Sequence, residues 1–553
     1  MPTSRWNAPR STPPVSAARS MAACRPGSER EGRSIMANRP RLARWSMGKH
    51  QWLALIGGIS LFIWGLSGMA HIAMVLFGPQ QLEFMPSMRA IDMAGAVPVE
   101  KVLADAGIGK ARAVKVVVGK DRNLLQVTVS PQAARRYFRL DTGAELAGED
   151  ARQAEFIARH FLKEQRPIAE IVQQTAFDAD YPWVNRLLPV WRIRFAGDDR
   201  LTAYVHTETS SLAAVNNLTK TRLQNVFRAL HSWEWVPQGL DWLRVLVITL
   251  MVGSLAALAV TGILLLVAIR RGKRLAGSKG WHRAMGYVLA LPLLMFSVSG
   301  ILHLVQSALE QPTSKLRLSP PVNVANARYP VERDWAEIAK GLDVNALSLV
   351  EGPGGRALYR LGLAQPGSAS PKGEHDHSAH QGHKMPMGDS AIRNARFEGI
   401  SPTGPALYID AATGKPWGDG DKALARELGR RFSGAPDSAI THMELVTRFG
   451  PDYDFRNKRL PVWRIDYGAP VNATLFVDTA TGVLADRTEN WQKPERYIFS
   501  FIHKWNFLFP IGKVGLNAVV GSFMLALIGF MGGIGLYWDW RRRRKVPQKP
   551  LAR

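Results

Sequence analysis

Six histidines occupy related places in this chain. His50 and His71 are 21 residues apart, and so are His282 and His303. On an α-helix that separation is about 31 Å, close to the thickness of a bilayer's hydrocarbon core, so one helix offers an imidazole to each membrane face. Ser-Gly-x-x-His ends both stretches, as Ser67, Gly68, His71 and as Ser299, Gly300, His303. His231 and His503 form a third pair, in FRALHSWEW (227–235) and FSFIHKWNF (499–507). An imidazole in lipid is costly and marks a functional site, and one from each of two facing helices would supply both axial ligands of a six-coordinate iron. The expectation is two b-type haems, with His50 and His282 on an inner one and the outer ligands drawn from His71, His303, His231 and His503. The competing reading makes these histidines interfacial anchors beside tryptophans.

A second group lies in QPGSASPKGEHDHSAHQGHKMPMGDS: His375, His377, His380, His383, Met385 and Met387. Imidazole with thioether suits copper, and zinc or nickel are further options, although the spacing is loose rather than tetrahedral. The competing reading is a dispensable loop.

These side chains require membrane helices to position them. Apolar windows at about 51–77, 243–269, 283–304 and 514–538 are expected to span. Arg39 to Lys49, Arg270 to Lys279 and Arg541 to Lys545 are basic clusters at particular span ends. By the positive-inside rule those ends, and with them both termini, face the cytoplasm, and two large loops face the periplasm of a bacterial inner membrane. The formal charge of +26 is partly explained by these flanks, and no nucleic-acid partner is inferred from it. Cys24 is the single cysteine, so the exported loops hold no disulfide and no Cys-x-x-Cys-His exists to attach haem covalently. Residues 1–35 are expected to be a disordered extension or an upstream start.

The loops repeat one another. LPVWRI occurs at 188–193 and 460–465, and strands close on Thr-Gly turns at Thr142-Gly143, Thr413-Gly414 and Thr481-Gly482. In the first loop a helix is expected near 98–106, strands at 113–118, 123–129 and 135–140, and a helix near 151–164, before LPVWRIRF and LTAYVHTETSSLAAV. The fold class is thus a membrane protein of four transmembrane α-helices plus two periplasmic α+β domains, internally duplicated. The expected divisions are a disordered basic extension (1–44), helix 1 (45–78), domain 1 (79–226), an interfacial segment with helix 2 (227–270) and a cytoplasmic loop (271–280). Helix 3 (281–305), domain 2 (306–498, with the histidine- and methionine-rich loop at 366–394), an interfacial segment with helix 4 (499–540) and a basic tail (541–553) follow.

The pattern resembles the PepSY-associated transmembrane family. The resemblance is carried by His50, Trp52, Ser67 and Gly68, by Leu230-His231 and Thr261-Gly262, by His282-Arg283, Gly286 and Ser299-Gly300, and by His503. It implies PepSY-like exported domains and a role like that of inner-membrane reductases that release iron from siderophores with b-type haem. On that reading the chain is a transmembrane metalloreductase. Its partners would be a ferric siderophore or other periplasmic metal complex, quinol or a separate reductase as donor, and the lipid bilayer. No glycine-rich nucleotide fingerprint is present. One alternative is a non-enzymatic periplasmic metal- or peptide-binding membrane protein that regulates envelope metal homeostasis or proteolysis. A transporter is a third reading, weakened by the lack of mid-bilayer acidic residues.

Overall fold

Apolar runs of this length form helices across a bilayer because a helix satisfies its own backbone groups. The computed structural model describes residues 27–269, 277–309, 318, 320–364, 399, 403–450 and 452–544. Among them, four helices are long and apolar enough to cross a membrane: Arg41–Phe77, Gln238–Ala268, Gly277–Leu309 and Asn506–Trp538. Each begins several residues before its apolar window, because lipid sets the span's length but not the helix's ends. The fourth is not uniform. It changes from α-helix (Gly512–Ala526) to a wider π-turn (Leu527–Gly533) and back.

Glycines let these helices approach closely. At Gly57 an added Cβ would overlap the side chain of Leu258 in the second span. At Gly58 it would lie 2.7 Å from Leu536, and at Gly65 2.9 Å from Ile528, both in or beside the π-turn of the fourth. Leu61, Leu255, Leu289 and Leu527 fill the centre between the four helices.

Between the spans lie α+β regions. A two-residue ribbon pairs β1 (Lys110–Ala111) with β9 (Val322–Asn323). One four-stranded sheet runs β5 (Ile168–Gln174), β6 (Val190–Phe195), β7 (Thr202–His206), β8 (Ser211–Asn216). Another runs β13 (Ile440–Val446), β14 (Val462–Tyr467), β15 (Ala473–Asp478), β16 (Val483–Glu489). The third sheet has six strands in the order β12-β11-β10-β2-β3-β4. It comprises β2 (Ala113–Val118), β3 (Asn123–Thr128) and β4 (Arg136–Arg139) with β10 (Val344–Glu351), β11 (Ala357–Ala364) and β12 (Thr403–Asp410).

The expected strands at 113–118, 123–129 and 135–140 correspond to β2, β3 and β4, and the expected helix to Glu149–Leu162. LTAYVHTETSSLAAV folds into two strands, β7 and β8, because the small polar residues at its centre make the turn. The two loops do not fold apart. β2 and β10 are antiparallel neighbours, with Val116 opposite Leu347 and Val114 opposite Leu349. All four side chains are buried in a core drawn from both loops, each contributing about 1.5–3 kcal/mol.

Two buried aspartates tie helices to sheets. Asp150, in the first turn of Glu149–Leu162, accepts from Tyr137 OH at 2.9 Å, Trp191 Nε1 at 2.8 Å, Thr207 Oγ1 at 2.7 Å and the Arg135 backbone at 3.0 Å. Asp421, in the first turn of Gly420–Ser433, accepts from Tyr408, Trp463, Thr479 Oγ1 at 2.9 Å and Arg360 Nε at 3.1 Å. Burial and the adjoining carboxylate push the Tyr137 hydroxyl well above its ordinary pKa.

Candidate functional site

The structure brings the inner histidines together. The rings of His50 and His282 are edge to face with centroids 6.2 Å apart. His50 Nδ1 lies 3.0 Å from Thr261 Oγ1 and the ring packs on Gly262. His282 Nδ1 donates to the Phe530 carbonyl at 3.0 Å, a carbonyl within the π-turn.

At the other end, His231 Nδ1 meets Ser67 Oγ at 2.9 Å and His503 Nδ1 meets Ser299 Oγ at 3.1 Å. Thr261, Ser67 and Ser299 each give their hydroxyl proton to a carbonyl of their own helix, so the imidazole is the donor in all three contacts. His303 Nδ1 reaches Glu495 Oε1 at 2.7 Å. Phe227 stacks on His231 at 4.5 Å and is tilted against His71 at 5.3 Å; Phe499 stacks on His303 at 3.7 Å and on His503 at 4.8 Å. Five of the six histidines thus brace one helical segment to another. The glycines have divided uses: Gly262 and Gly300 seat the rings of His50 and His503, whereas Gly57 and Gly58 serve helix packing.

The expected cofactors are corrected by this arrangement. Among the described residues, no group of three or more His, Cys, Asp or Glu side chains is placed to hold a metal ion, and the chain has one cysteine. The imidazoles stand in helix-bracing contacts through Nδ1, and His231 lies within electrostatic reach of His71 and His303, as His503 does of His231 and His303. Neither haem b nor copper is retained. His375, His377, His380, His383, Met385 and Met387 lie outside the described residues.

A site that spacing did not reveal lies where the three larger sheets meet. It is a cavity of about 290 Å³ lined by Val116 to Val118 of β2, Asn345 to Ser348 of β10, Ser211 to Val215 of β8, and residues 458–461. Its remaining wall includes Gln81, Phe84, Pro86, Ser87, Met88 and Ile91, on the extended segment that leaves the first span. That segment is held at both ends. Leu82 N and Glu83 N donate to Phe161 O at 2.7 and 3.1 Å, and Ile91 N donates to Val344 O at 3.2 Å.

The cavity's charged side chains come from both loops. Arg459 donates to Glu208 Oε1 at 3.0 Å and to Asp478 Oδ2 at 2.9 Å. Lys115 Nζ donates to the Glu208 backbone carbonyl. Burial opposes ionisation of Glu208, but Arg459 and the neighbouring cations hold its carboxyl far below the usual range. Burial lowers the Lys115 amine to about 8, against the pull of Glu208 and Asp478. His206, beside Arg135 Nη2 at 2.9 Å, is pushed well below its ordinary pKa by burial and by that cation. Sequence reasoning missed this site because its lining is assembled from segments far apart in the chain. The one local signal was a lysine, Lys115, in an otherwise apolar strand.

Four membrane-length helices carrying α+β regions define a membrane-anchored protein of mixed architecture. Residues 47–425 match the family described as the PepSY-associated TM region, and the chain belongs to that family. Comparison with curated proteins finds no match.

Proposed function

We propose that this chain is a membrane-anchored binding protein whose α+β regions take up an extended peptide outside the cytoplasm. The observation that carries the reading is the inter-sheet cavity, whose wall includes the segment leaving the first span. Occupancy would press on Gln81 to Ile91 and so act directly on that helix. Membership of the PepSY-associated family agrees with a binding role at the envelope. This reading takes the place of the expected transfer of electrons to a ferric siderophore, whose resident cofactors are those corrected above.

The domain scheme belongs to the same reading. We take the chain as two copies of span, α+β region and span. Supporting this, Asp150, Tyr137, Trp191 and Thr207 make the same contacts as Asp421, Tyr408, Trp463 and Thr479, and His231 with Ser67 matches His503 with Ser299. Both termini are assigned to the cytoplasm and the loops to the periplasm. Lys279 lies 4.7 Å over the Trp538 ring, so the basic start of the third span and the basic end of the fourth share one face.

The test is fluorescence anisotropy of labelled, valine-rich extended peptides with the full chain in detergent. Ala346→Trp and Ala214→Trp fill the cavity, and both should abolish binding. Equal binding by wild type and filled variants would overturn the reading.

A further inference from the structure

The cavity's composition says more about its occupant, and the following rests on the binding reading above. The lining carries four cationic side chains, Lys115, Arg360, Lys458 and Arg459, against two carboxylates, Glu208 and Asp478. Three of the cations have partners of their own: Arg459 is shared between Glu208 and Asp478, Arg360 is paired with Asp421 at 3.1 Å, and Lys458 lies 5.0 Å over the Phe455 ring. Lys115 is different. Its ammonium donates to a backbone carbonyl rather than a carboxylate, and its partly exposed side chain borders the cavity. An ammonium has three donors, and the carboxylates that act on it, Glu208 and Asp478, are both bound to Arg459, so its attraction to them is shared.

The rest of the lining asks for main chain. Among the described residues β8 ends its sheet, paired with β7 alone, and its residues Ser211 to Val215 all border the cavity. Successive side chains of a strand point to opposite faces, so five consecutive lining residues place the cavity along the strand's edge. Across from it, β2 and β10 pair through Val116 and Leu347 and no further towards Val118 and Asn345, where both strands line the cavity. Among the described residues, Ser348 and Arg459 line the cavity with their Oγ and Nε buried behind its surface. A fatty acyl chain would leave the edge of β8 unsatisfied, whereas a peptide adds a strand.

We propose that the cavity captures the free C-terminal carboxylate of an extended apolar peptide, with Lys115 as the anion anchor and β8 as the edge against which the peptide lies. The apolar walls, among them Val116, Leu212, Leu347 and Phe84, would take the side chains of its last residues. Charge-assisted contact to the carboxylate selects a chain end over a chain interior.

The probe is a fluorescein-labelled pentapeptide of alanine and valine, prepared as free acid and as C-terminal amide and titrated against the full chain in detergent, with decanoate as competitor. The acid should bind about tenfold or more tightly than the amide, the worth of one charge-assisted hydrogen bond. Lys115→Met should bind both forms with the amide's affinity, and Lys115→Arg should restore part of the preference; thermal unfolding checks that both variants fold. Equal affinity of acid and amide for wild type would overturn the anchor and leave the binding reading standing. Displacement by decanoate with no preference between peptides would assign the cavity to a lipid and also overturn it. Failure of either peptide to bind, with Ala346→Trp indistinguishable from wild type, would sink the binding reading itself.

Discussion

Arg459 donates to the carboxylate of Glu208 at 3.0 Å across 251 positions of sequence, and the same guanidinium holds Asp478 at 2.9 Å. Removing one partner of a buried ion pair leaves an uncompensated charge, at a cost of about 3–5 kcal/mol. Arg459→Met strands two carboxylates, whereas Glu208→Gln leaves Arg459 bound to Asp478. Denaturant unfolding should therefore show Arg459→Met as clearly the more damaging. Equal losses would mean that Asp478 contributes little to holding Arg459.

The same pair sets an acid limit. Glu208 has its folded pKa depressed by Arg459 and nearby cations despite burial. Its contribution to stability is thus fully present above the unfolded value of about 4.3 and is lost as pH falls towards the folded one. Wild type should lose stability below about pH 4 more steeply than Glu208→Gln. Parallel pH curves for the two proteins would contradict the assignment.

Lys115 works in the opposite direction. Its amine is lowered from 10.5 to about 8 by burial, with Arg459 and Arg135 adding to the effect and Glu208 and Asp478 opposing it. Between these two values the unfolded chain binds more protons than the folded one, so stability rises with pH across that window. Lys115→Met should flatten this rise. In ligand titrations, the wild-type preference for a carboxylate over an amide should fade as pH passes about 8; a preference that persists to pH 10 would place the charge on another residue, such as Lys458.

The spans and the local elements were legible because each depends on neighbours in sequence. Apolar length marks a span, and a valine-rich run marks β2. β5 and β13 were not legible. IAEIVQQ and ITHMELV mix polar and apolar residues on edge strands exposed along one side, so neither shows clean alternation. The pairing of His50 with His282 was legible from spacing, while the Thr261 and Phe530 contacts that orient those rings depend on how helices turn towards one another. The cavity was least legible of all. No local pattern announces that Lys115, Glu208 and Arg459 meet.

The histidine braces should be measurable as couplings. His231 with Ser67 and His503 with Ser299 are donor and acceptor on different segments. Double-mutant cycles with His→Phe and Ser→Ala should return about 0.6–1.7 kcal/mol per pair in detergent or bilayer unfolding, the range for hydrogen bonds between membrane helices. Zero coupling in both pairs would reduce these histidines to packing residues.

The glycines of the first span separate steric from chemical roles. Gly68 has open space where a Cβ would be added, whereas the Cβ at Gly58 would lie 2.7 Å from Leu536, at the far end of a flexible side chain. Gly68→Ala should therefore be close to neutral. Gly58→Ala is absorbed by a shift of Leu536, but Gly58→Leu must push the fourth span away from the first and break the packing beside the π-turn that presents the Phe530 carbonyl to His282. Overpacking of this kind costs about 1–3 kcal/mol. A spin label pair on the first and fourth spans should report their separation in Gly58→Leu and no change in Gly68→Ala. If Gly68→Ala proves the more disruptive, the helix-to-helix contact lies on a different face of the first span.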